Sequence, residues 1–148
     1  MFKFKYEKIL KLKEEYEEDK KIELSKSIQY KEKLINEQNI LQDRFNTYLN
    51  EFREKSENSV KMYELQEMHL NKKWFKDELL KISDMIYEAE KMIVLKRNEL
   101  SLAVQERKKY EVLKNNLYAA YIEKYNKIQE QAIEELVSFS ATKKRYEN

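Results

Sequence analysis

The sequence of 148 residues contains no glycine, no proline and no cysteine. Turns that need a positive φ angle are costly without glycine, so folds that depend on many tight turns, such as sandwiches, barrels and doubly wound sheets, are disfavoured. A glycine-rich phosphate loop is excluded for the same reason. Without cysteine there is neither a disulfide nor a thiolate zinc site. A chain so poor in turn formers is expected to consist of long helices.

Long apolar runs are also missing from the sequence. The longest, residues 92–95, is far shorter than the roughly 20 residues of a membrane-spanning helix. The first residues alternate aromatic and charged side chains, which is unlike the apolar core of a signal peptide. The sequence therefore predicts a soluble, cytoplasmic protein that does not insert directly into a membrane.

Charge is abundant but balanced, with 30 basic and 28 acidic residues that alternate along the chain. This mixture is typical of solvated helix surfaces and not of the basic stripe of a nucleic-acid-binding protein. Tyr118, Tyr121 and Tyr125, with Lys124 and Lys127, have the composition of a single-strand stacking patch. We interpret them as part of a helix seam and predict no nucleic-acid partner.

Apolar residues recur at helical spacing in two long stretches, which predict two long helices. In residues 2–54 the repeat visits Ile9, Leu12, Tyr16, Leu34, Leu41, Phe45, Tyr48 and Phe52. In residues 72–140 strict steps of four and three visit Phe75, Leu79, Ile82, Ile86, Ala89, Ile93, Lys96, Leu100, Ala103, Arg107, Tyr110, Lys114, Leu117 and Tyr121. The second series then slips by one residue to Tyr125, Ile128, Ala132, Leu136 and Phe139.

Between these stretches, residues 55–59 carry the best turn signal, because serine and asparagine bond readily to nearby backbone. Ser59 is the expected N-cap of a short connecting helix at residues 60–70, which a break at Asn71 ends. The weak repeat at residues 17–21 is either a stutter or a stretch that faces water. Residues 141–148 read as a polar tail.

The predicted fold class is all-α, a long antiparallel two-helix coiled-coil hairpin with a short connecting helix near the turn. We treat residues 1–148 as a single such hairpin. If residue 54 lies opposite residue 74, then residue 2 lies opposite residue 126. The C-terminal part of the second helix then projects beyond the first, with Ile128, Leu136 and Phe139 uncovered.

The sequence contains few of the residue types that form catalytic or metal-binding sites. His69 is the only histidine, and Glu64 and Glu67 near it are ordinary for such a surface. Metal sites and nucleophilic triads need more partners than this, so we predict no metal, no cofactor and no enzymatic activity. Trp74 beside Phe75 is either a packing residue near the turn or a binding anchor, and the sequence leaves both open.

Three segments resemble the FliJ family of flagellar export proteins. Residues 2–15 begin with the aromatic pair Phe2 and Phe4 and continue with apolar doublets, lysines and acids. Residues 95–114 match a second family segment, and residues 130–136 match its C-terminal acidic motif, with Glu134 where the family usually has Asp. The order, the spacing and the chain length all agree with the family.

The resemblance implies a soluble part of the flagellar type III export apparatus, folded like the central stalk of rotary ATPases. Its implied partners are the export ATPase ring, whose assembly it would promote, the cytoplasmic domain of the export gate membrane protein, and export chaperones. The implied location is the cytoplasm, peripherally associated with the inner face of the membrane at the flagellar base.

The resemblance also supplies candidate contact residues. Export-gate contacts would lie near the turn, at Phe45, Tyr48, Phe52, Phe75, Leu79, Ile82 and Ile86. ATPase contacts would lie near the chain ends, at Phe2, Phe4, Ile9, Leu136 and Phe139. Periodicity alone would assign the first set to the helix seam. A coiled-coil scaffold unrelated to export, and the equivalent stalk of a virulence secretion system, remain alternative functions.

Overall fold

The structure is a computed structural model that describes residues 1–147. Within these residues there are two α-helices, α1 (Glu7–Ser56) and α2 (Met62–Glu147), and no strand. Both sequences are dominated by good helix formers such as Glu, Lys, Leu and Gln, and neither contains a helix breaker. The prediction of an all-α helical hairpin is confirmed.

The chain divides into two compact units, which are described separately. The turn unit is Glu18–Leu102, and the terminal unit combines Met1–Glu17 with the chain from Ala103 onward. In the turn unit the helices run antiparallel, since Lys55 pairs with Glu64 at 3.8 Å and Lys31 with Glu90 at 3.2 Å. In the terminal unit Glu7 pairs with Lys114 at 2.9 Å and Glu17 pairs with Arg107, so the two helices are antiparallel there as well.

The hydrophobic core is a thin seam between the helices. Its buried apolar members are Phe4, Leu10, Leu34, Phe45, Ala89, Ile93 and Ala103. On α2, every member of the predicted four-three series from Phe75 to Tyr121 is buried or half-buried except Leu117. On α1, the predicted positions from Leu34 to Phe52 also face the seam.

The prediction that Ile9, Leu12 and Tyr16 belong to the apolar repeat of α1 is wrong. Ile9, Leu12 and Tyr16 are 37%, 62% and 51% exposed, whereas Leu10 and Glu17 are buried. The seam positions are those reached by counting back from Leu34 in heptad steps, because a continuous helix keeps one stripe toward its partner. The weak repeat at residues 17–21 therefore contributes buried and half-buried polar side chains to the seam.

The helix bounds also differ from those predicted. Residues 1–6 precede α1, and Phe4 among them is buried. α2 runs without interruption through Asn71, so there is no separate helix at residues 60–70. The Asn71 amide instead donates a 3.1 Å hydrogen bond to the Tyr48 hydroxyl. The expected polar tail is helical through Glu147, and Asn148 lies outside the described residues.

These bounds shift the predicted register. Because residues 62–70 belong to α2, helix pairing begins directly at the turn, where Glu64 lies opposite Lys55. At the other end, the ring of Phe2 packs on Tyr118 and Tyr121 and not near residue 126. Every side chain of residues 122–147 is exposed.

The turn contains a residue that violates the usual backbone preference. Ser59 has a φ of 84°, in the left-handed region. It is therefore not the predicted N-cap. That role falls to Lys61, whose carbonyl oxygen accepts hydrogen bonds from the backbone N–H groups of Glu64 at 3.0 Å and Leu65 at 3.3 Å.

Replacing Ser59 with glycine should stabilise the protein, because glycine adopts a positive φ without the steric cost of a β-carbon. We expect Ser59→Gly to raise the free energy of unfolding by up to about 1 kcal/mol, measured by urea unfolding followed by circular dichroism. Asn58→Gly is the matched control and should destabilise, since it only adds freedom to the unfolded chain. Equal losses in both variants would contradict the assigned turn.

Candidate partner-binding surfaces

An aromatic cluster lies in the turn unit at the seam between α1 and α2. Phe45, only 7% exposed, stacks on Phe75 with ring centroids 5.1 Å apart and planes 23° apart. The Tyr48 ring lies 5.6 Å from the same Phe75 ring. The structure thus brings three of the candidate gate residues together. Their ring faces contact one another across the seam and so join the two helices.

The other candidate gate residues share this position. Phe52, Leu79, Ile82 and Ile86 are all half-buried along the same seam. Each therefore contributes to helix pairing and presents only part of its surface to a partner. Since all seven candidates follow the heptad repeat, helix pairing by itself accounts for their spacing.

A more open apolar surface lies beside this seam. Tyr63, Leu70 and Trp74 are 60%, 65% and 54% exposed, and their spacing of seven and four residues places them on one face of α2. The Trp74 ring contacts Phe75 edge-on at 5.0 Å, so its position is fixed while its outer face is free. This exposure favours the anchor interpretation of Trp74. A search for a second helical stripe beside the seam would have found this surface.

A shallow cleft of about 220 Å³ opens next to the turn, between the two helices. Its apolar side chains are Phe52 and Met68. Lys55 and Glu64 at its rim form the ion pair that closes the turn. The cleft gives a partner side chain access to an edge of Phe52, which the seam otherwise covers.

The candidate ATPase contacts fall into two groups in the terminal unit. Phe2 and Phe4 are covered by the chain itself. The Phe2 ring lies 5.3 Å from the Tyr118 ring and 5.6 Å from the Tyr121 ring, and the Lys114 ammonium lies 5.9 Å from the centroid of Phe4. These contacts make Tyr118 and Tyr121 packing residues. The seam interpretation does not extend to Tyr125, which is 49% exposed.

The second group is open. Leu136 and Phe139 are 68% and 71% exposed on α2, and Ile9 is exposed on α1. Leu136 and Phe139 are exposed like the rest of residues 122–147, so the fold does not bury them. Exposed leucine and phenylalanine on a regular helix are suited to bind another protein.

Charged side chains occupy the seam in two places. In the turn unit, Glu23 lies 3.1 Å from Lys96 and 3.3 Å from Lys20. Glu99 lies 3.2 Å from Lys20 and 3.5 Å from Lys96. The four residues form a closed cluster in which each charge contacts two opposite charges.

The second polar position in the seam is in the terminal unit. Arg107 pairs with the buried Glu17 of α1 and, at 2.6 Å, with Glu111 one turn along α2. Both carboxylates raise the pKa of Arg107, Glu111 more than Glu17. A buried carboxylate is tolerated only with such a partner, so this pair favours the observed register over neighbouring ones.

The closed cluster shifts the pKa values of Glu23, Lys20 and Lys96, lowering that of the acid and raising those of the two bases. Hydrogen bonds from Lys96 first, and from Lys20 second, lower the pKa of Glu23 below its ordinary 4.5. A hydrogen bond to Glu99, with a further contribution from Glu23, raises the pKa of Lys20 above 10.5. The pKa of Lys96 is also raised above 10.5, chiefly by its hydrogen bond to Glu23. Glu23, Lys20 and Lys96 are therefore charged throughout the neutral range.

These charged side chains join the two helices by ion pairs across the seam. Residues 1–147 contain no buried polar side-chain atom without a hydrogen-bond partner. No three histidine, cysteine or acidic side chains in that range cluster closely enough to hold a metal ion. His69 lies in a surface hollow beside Lys72, Lys73 and Lys76. No helix in the described part of the chain is sufficiently long and apolar to cross a membrane.

Comparison with known protein families gives one result that covers nearly the whole chain. The family model described as "Flagellar FliJ protein" matches residues 2–145. The matched range includes both helices up to the last turns of α2 and every candidate contact residue. Neither the curated proteins nor the solved structures contain a match to this chain.

The charged cluster predicts a specific pH dependence of stability. A carboxylate whose pKa is lowered by folding stabilises the folded state above its unfolded pKa, and this contribution is lost as the pH falls through the folded value. The difference in melting temperature between the wild type and Glu23→Gln should therefore be largest near pH 7 and should shrink toward pH 3.

Glu32→Gln is the matched control, because Glu32 is exposed on the same helix and the structure shows it in no ion pair. Its melting temperature should follow the wild type at each pH. At the alkaline end, the contributions of Lys20 and Lys96 should be present below pH 10.5 and decline above it. A Glu23→Gln difference that is constant with pH would contradict the cluster.

Proposed function

Because this chain belongs to the FliJ family of flagellar proteins, we propose that it is the stalk and adaptor that binds the export ATPase ring, promotes its assembly and links it to the export gate. The observation that carries this proposal is the family match over residues 2–145. The structure supports it with two separate exposed apolar surfaces, one in each compact unit.

Family membership itself establishes the coarser statement. The chain is a component of the flagellar export apparatus and has a non-enzymatic, adaptor role, so the predictions of family and of no enzymatic activity are confirmed. The description of the family as flagellar favours this system over a virulence secretion system. It also disfavours a scaffold unrelated to export.

The terminal unit supplies the proposed ATPase contact. Leu136 and Phe139 are exposed, and the part of the chain that the structure describes does not bury them. A long amphipathic helix with an uncovered apolar stripe is suited to enter a cavity lined by other subunits. Ile9 is exposed and available in the same way, whereas Phe2 and Phe4 contribute by packing the N-terminal residues against α2.

The turn unit supplies the proposed gate contact. Here the half-exposed edges of Phe52, Leu79 and Ile82 lie along the seam. The exposed Leu70 and Trp74 flank them on α2. An exposed tryptophan held by a neighbouring ring is a typical interface anchor. We propose that gate binding uses these outer edges, while Phe45 and Phe75 hold the helices together beneath them.

The remaining parts of the proposal follow from the same role. Export chaperones would bind as additional partners of the adaptor. The protein would act in the cytoplasm, associated peripherally with the inner face of the membrane at the flagellar base through the gate protein. No part of this role calls for a cofactor or for nucleic acid.

Replacing an uncovered apolar residue with a charged one should weaken ATPase binding without unfolding the chain. We expect Phe139→Asp to lower the affinity for the cognate export ATPase by at least about tenfold, because a truncated hot-spot residue typically costs about 2 kcal/mol. Ring formation would be followed by electron microscopy, and hydrolysis by phosphate release.

The adjacent Ser138→Asp variant is the matched control, since Ser138 is exposed on the polar side of the same helix. It should assemble rings like the wild type. If the wild-type protein changes neither ring formation nor hydrolysis and does not co-purify with the ATPase, the proposed ATPase role is wrong.

A pair of neighbouring leucines tests the gate contact. Leu79 is half-buried at the seam, whereas Leu80 is exposed on another face of α2. We expect Leu79→Asp to weaken binding to the cytoplasmic domain of the gate protein by about tenfold or more, and Leu80→Asp to leave it unchanged, as measured by calorimetry.

Circular dichroism of both variants separates binding from folding. The proposal requires Leu79→Asp to keep its helicity at the assay temperature while it loses gate binding. Equal binding by the two variants would contradict a gate contact at this surface, and a collapse of helicity would assign Leu79 to the seam alone.

A further inference from the structure

The outer side of α2 near the turn, which faces away from α1, leaves large apolar side chains uncovered. Tyr63, Leu70 and Trp74 form an apolar stripe there, and each is more than half exposed. Met62 and Leu80, 71% and 63% exposed, lie on the same side of the helix. α1 does not cover these side chains, because it pairs with the opposite side of α2.

Basic side chains lie next to this apolar stripe. His69, Lys72, Lys73 and Lys76 line one surface hollow of about 320 Å³, and their spacing places them on one side of the helix. Within residues 1–147 none of the three lysines forms an ion pair. The lining of the hollow includes one acid, Asp77. The hollow therefore carries a net positive charge.

The other acidic side chains of this segment lie on the side toward α1. Glu64 and Glu78 are half-buried, and they form ion pairs with Lys55 and Lys81 respectively. Glu67 lines the cleft between the two helices beside the turn. The charges of the segment are therefore separated by side, with the unpaired bases outward and most of the acids toward the seam.

A fourth lysine extends the positive charge to the start of the apolar stripe. The Lys61 ammonium lies 5.9 Å from the centroid of the Tyr63 ring. From Lys61 to Leu80 the outer side of α2 thus combines lysine, tryptophan, tyrosine and leucine over about 29 Å, from 1.5 Å per residue.

An anionic lipid bilayer matches both parts of this surface. Phosphate-bearing headgroups attract lysine, and tryptophan and tyrosine are enriched where the headgroups meet the acyl chains. Lysine beside tryptophan and leucine is typical of helices that lie on a membrane. Protein interfaces, by contrast, are enriched in arginine and depleted in lysine, and this surface has four lysines and no arginine.

We propose that residues 61–80 of α2 lie on the surface of an anionic lipid bilayer without crossing it. Lys73 and Lys76 contact the lipid phosphates, and Leu70 and Trp74 enter the headgroup layer. This contact is made with lipid itself and goes beyond the gate contact proposed above. It leaves the edges of the seam accessible to the gate protein.

The fluorescence of Trp74 tests the contact directly, because Trp74 is the only tryptophan of the chain. Vesicles of mixed phosphatidylcholine and phosphatidylglycerol should shift its emission to shorter wavelength, and added salt should reduce the shift by screening the charges. Vesicles of phosphatidylcholine alone should leave the emission unchanged. Equal shifts with both kinds of vesicle, or no shift with either, would overturn the proposal.

Inorganic phosphate without vesicles separates a lipid surface from a site for a soluble anion. It should leave the Trp74 emission unchanged at concentrations that match the lipid phosphate. A shift in its presence that equals the shift with anionic vesicles would assign the hollow to a soluble anion and overturn the proposal.

A charge-matched pair of variants tests which lysines take part. Lys73→Gln combined with Lys76→Gln should weaken binding to the anionic vesicles about 25-fold in co-sedimentation, since each lysine near such a surface contributes about fivefold. Lys108→Gln combined with Lys124→Gln is the control, because it removes the same charge from exposed positions of α2 outside this surface. It should bind like the wild type.

Equal losses in the two variants would attribute the binding to net charge and overturn the assigned surface. Circular dichroism should show that both variants stay helical. These measurements contain no other protein, so failure of vesicle binding leaves the gate and ATPase contacts untouched, and failure of those contacts leaves vesicle binding untouched.

Discussion

Two helices that pair side by side bury only one narrow stripe of each, and this limit governs the rest of the protein. The buried apolar residues are accordingly few, and on α2 they occupy positions of the heptad repeat, such as Ala89 and Ile93. In such a seam no side chain is far from solvent. Large apolar residues that miss the stripe, such as Trp74 and Phe139, stay exposed and are available to partners.

The same limit explains why charged residues lie between the helices. Where apolar side chains are missing from α1, Glu17 and Lys20 occupy the seam positions and pair with groups on α2. Pairs of this kind contribute little net free energy, but a shifted register would leave the buried Glu17 without its partner. These ion pairs therefore determine the register of α1 against α2 more than they contribute to the stability of the hairpin.

Near the turn, the residues proposed to bind a partner are also the residues that pack the two helices together. Phe75 stacks on Phe45 to hold the helices together, so a partner reaches mainly the edges of the seam and the exposed residues beside it. The C-terminal part of α2 has no such conflict, because none of residues 1–147 buries Leu136. A partner could therefore bind there without disturbing the helix pairing.

The sequence by itself determined the helical class, the inward positions of α2 and the family. Each depends on local composition or on a repeat that an uninterrupted helix must express. It misplaced Ile9, Leu12 and Tyr16, ended a helix at Asn71, and shifted the register. Those points were decided only in the tertiary structure, since a helix presents one continuous stripe to its partner whatever the polarity of the residues on it. The hydrogen bond from Asn71 to Tyr48 likewise exists only when α1 and α2 are paired.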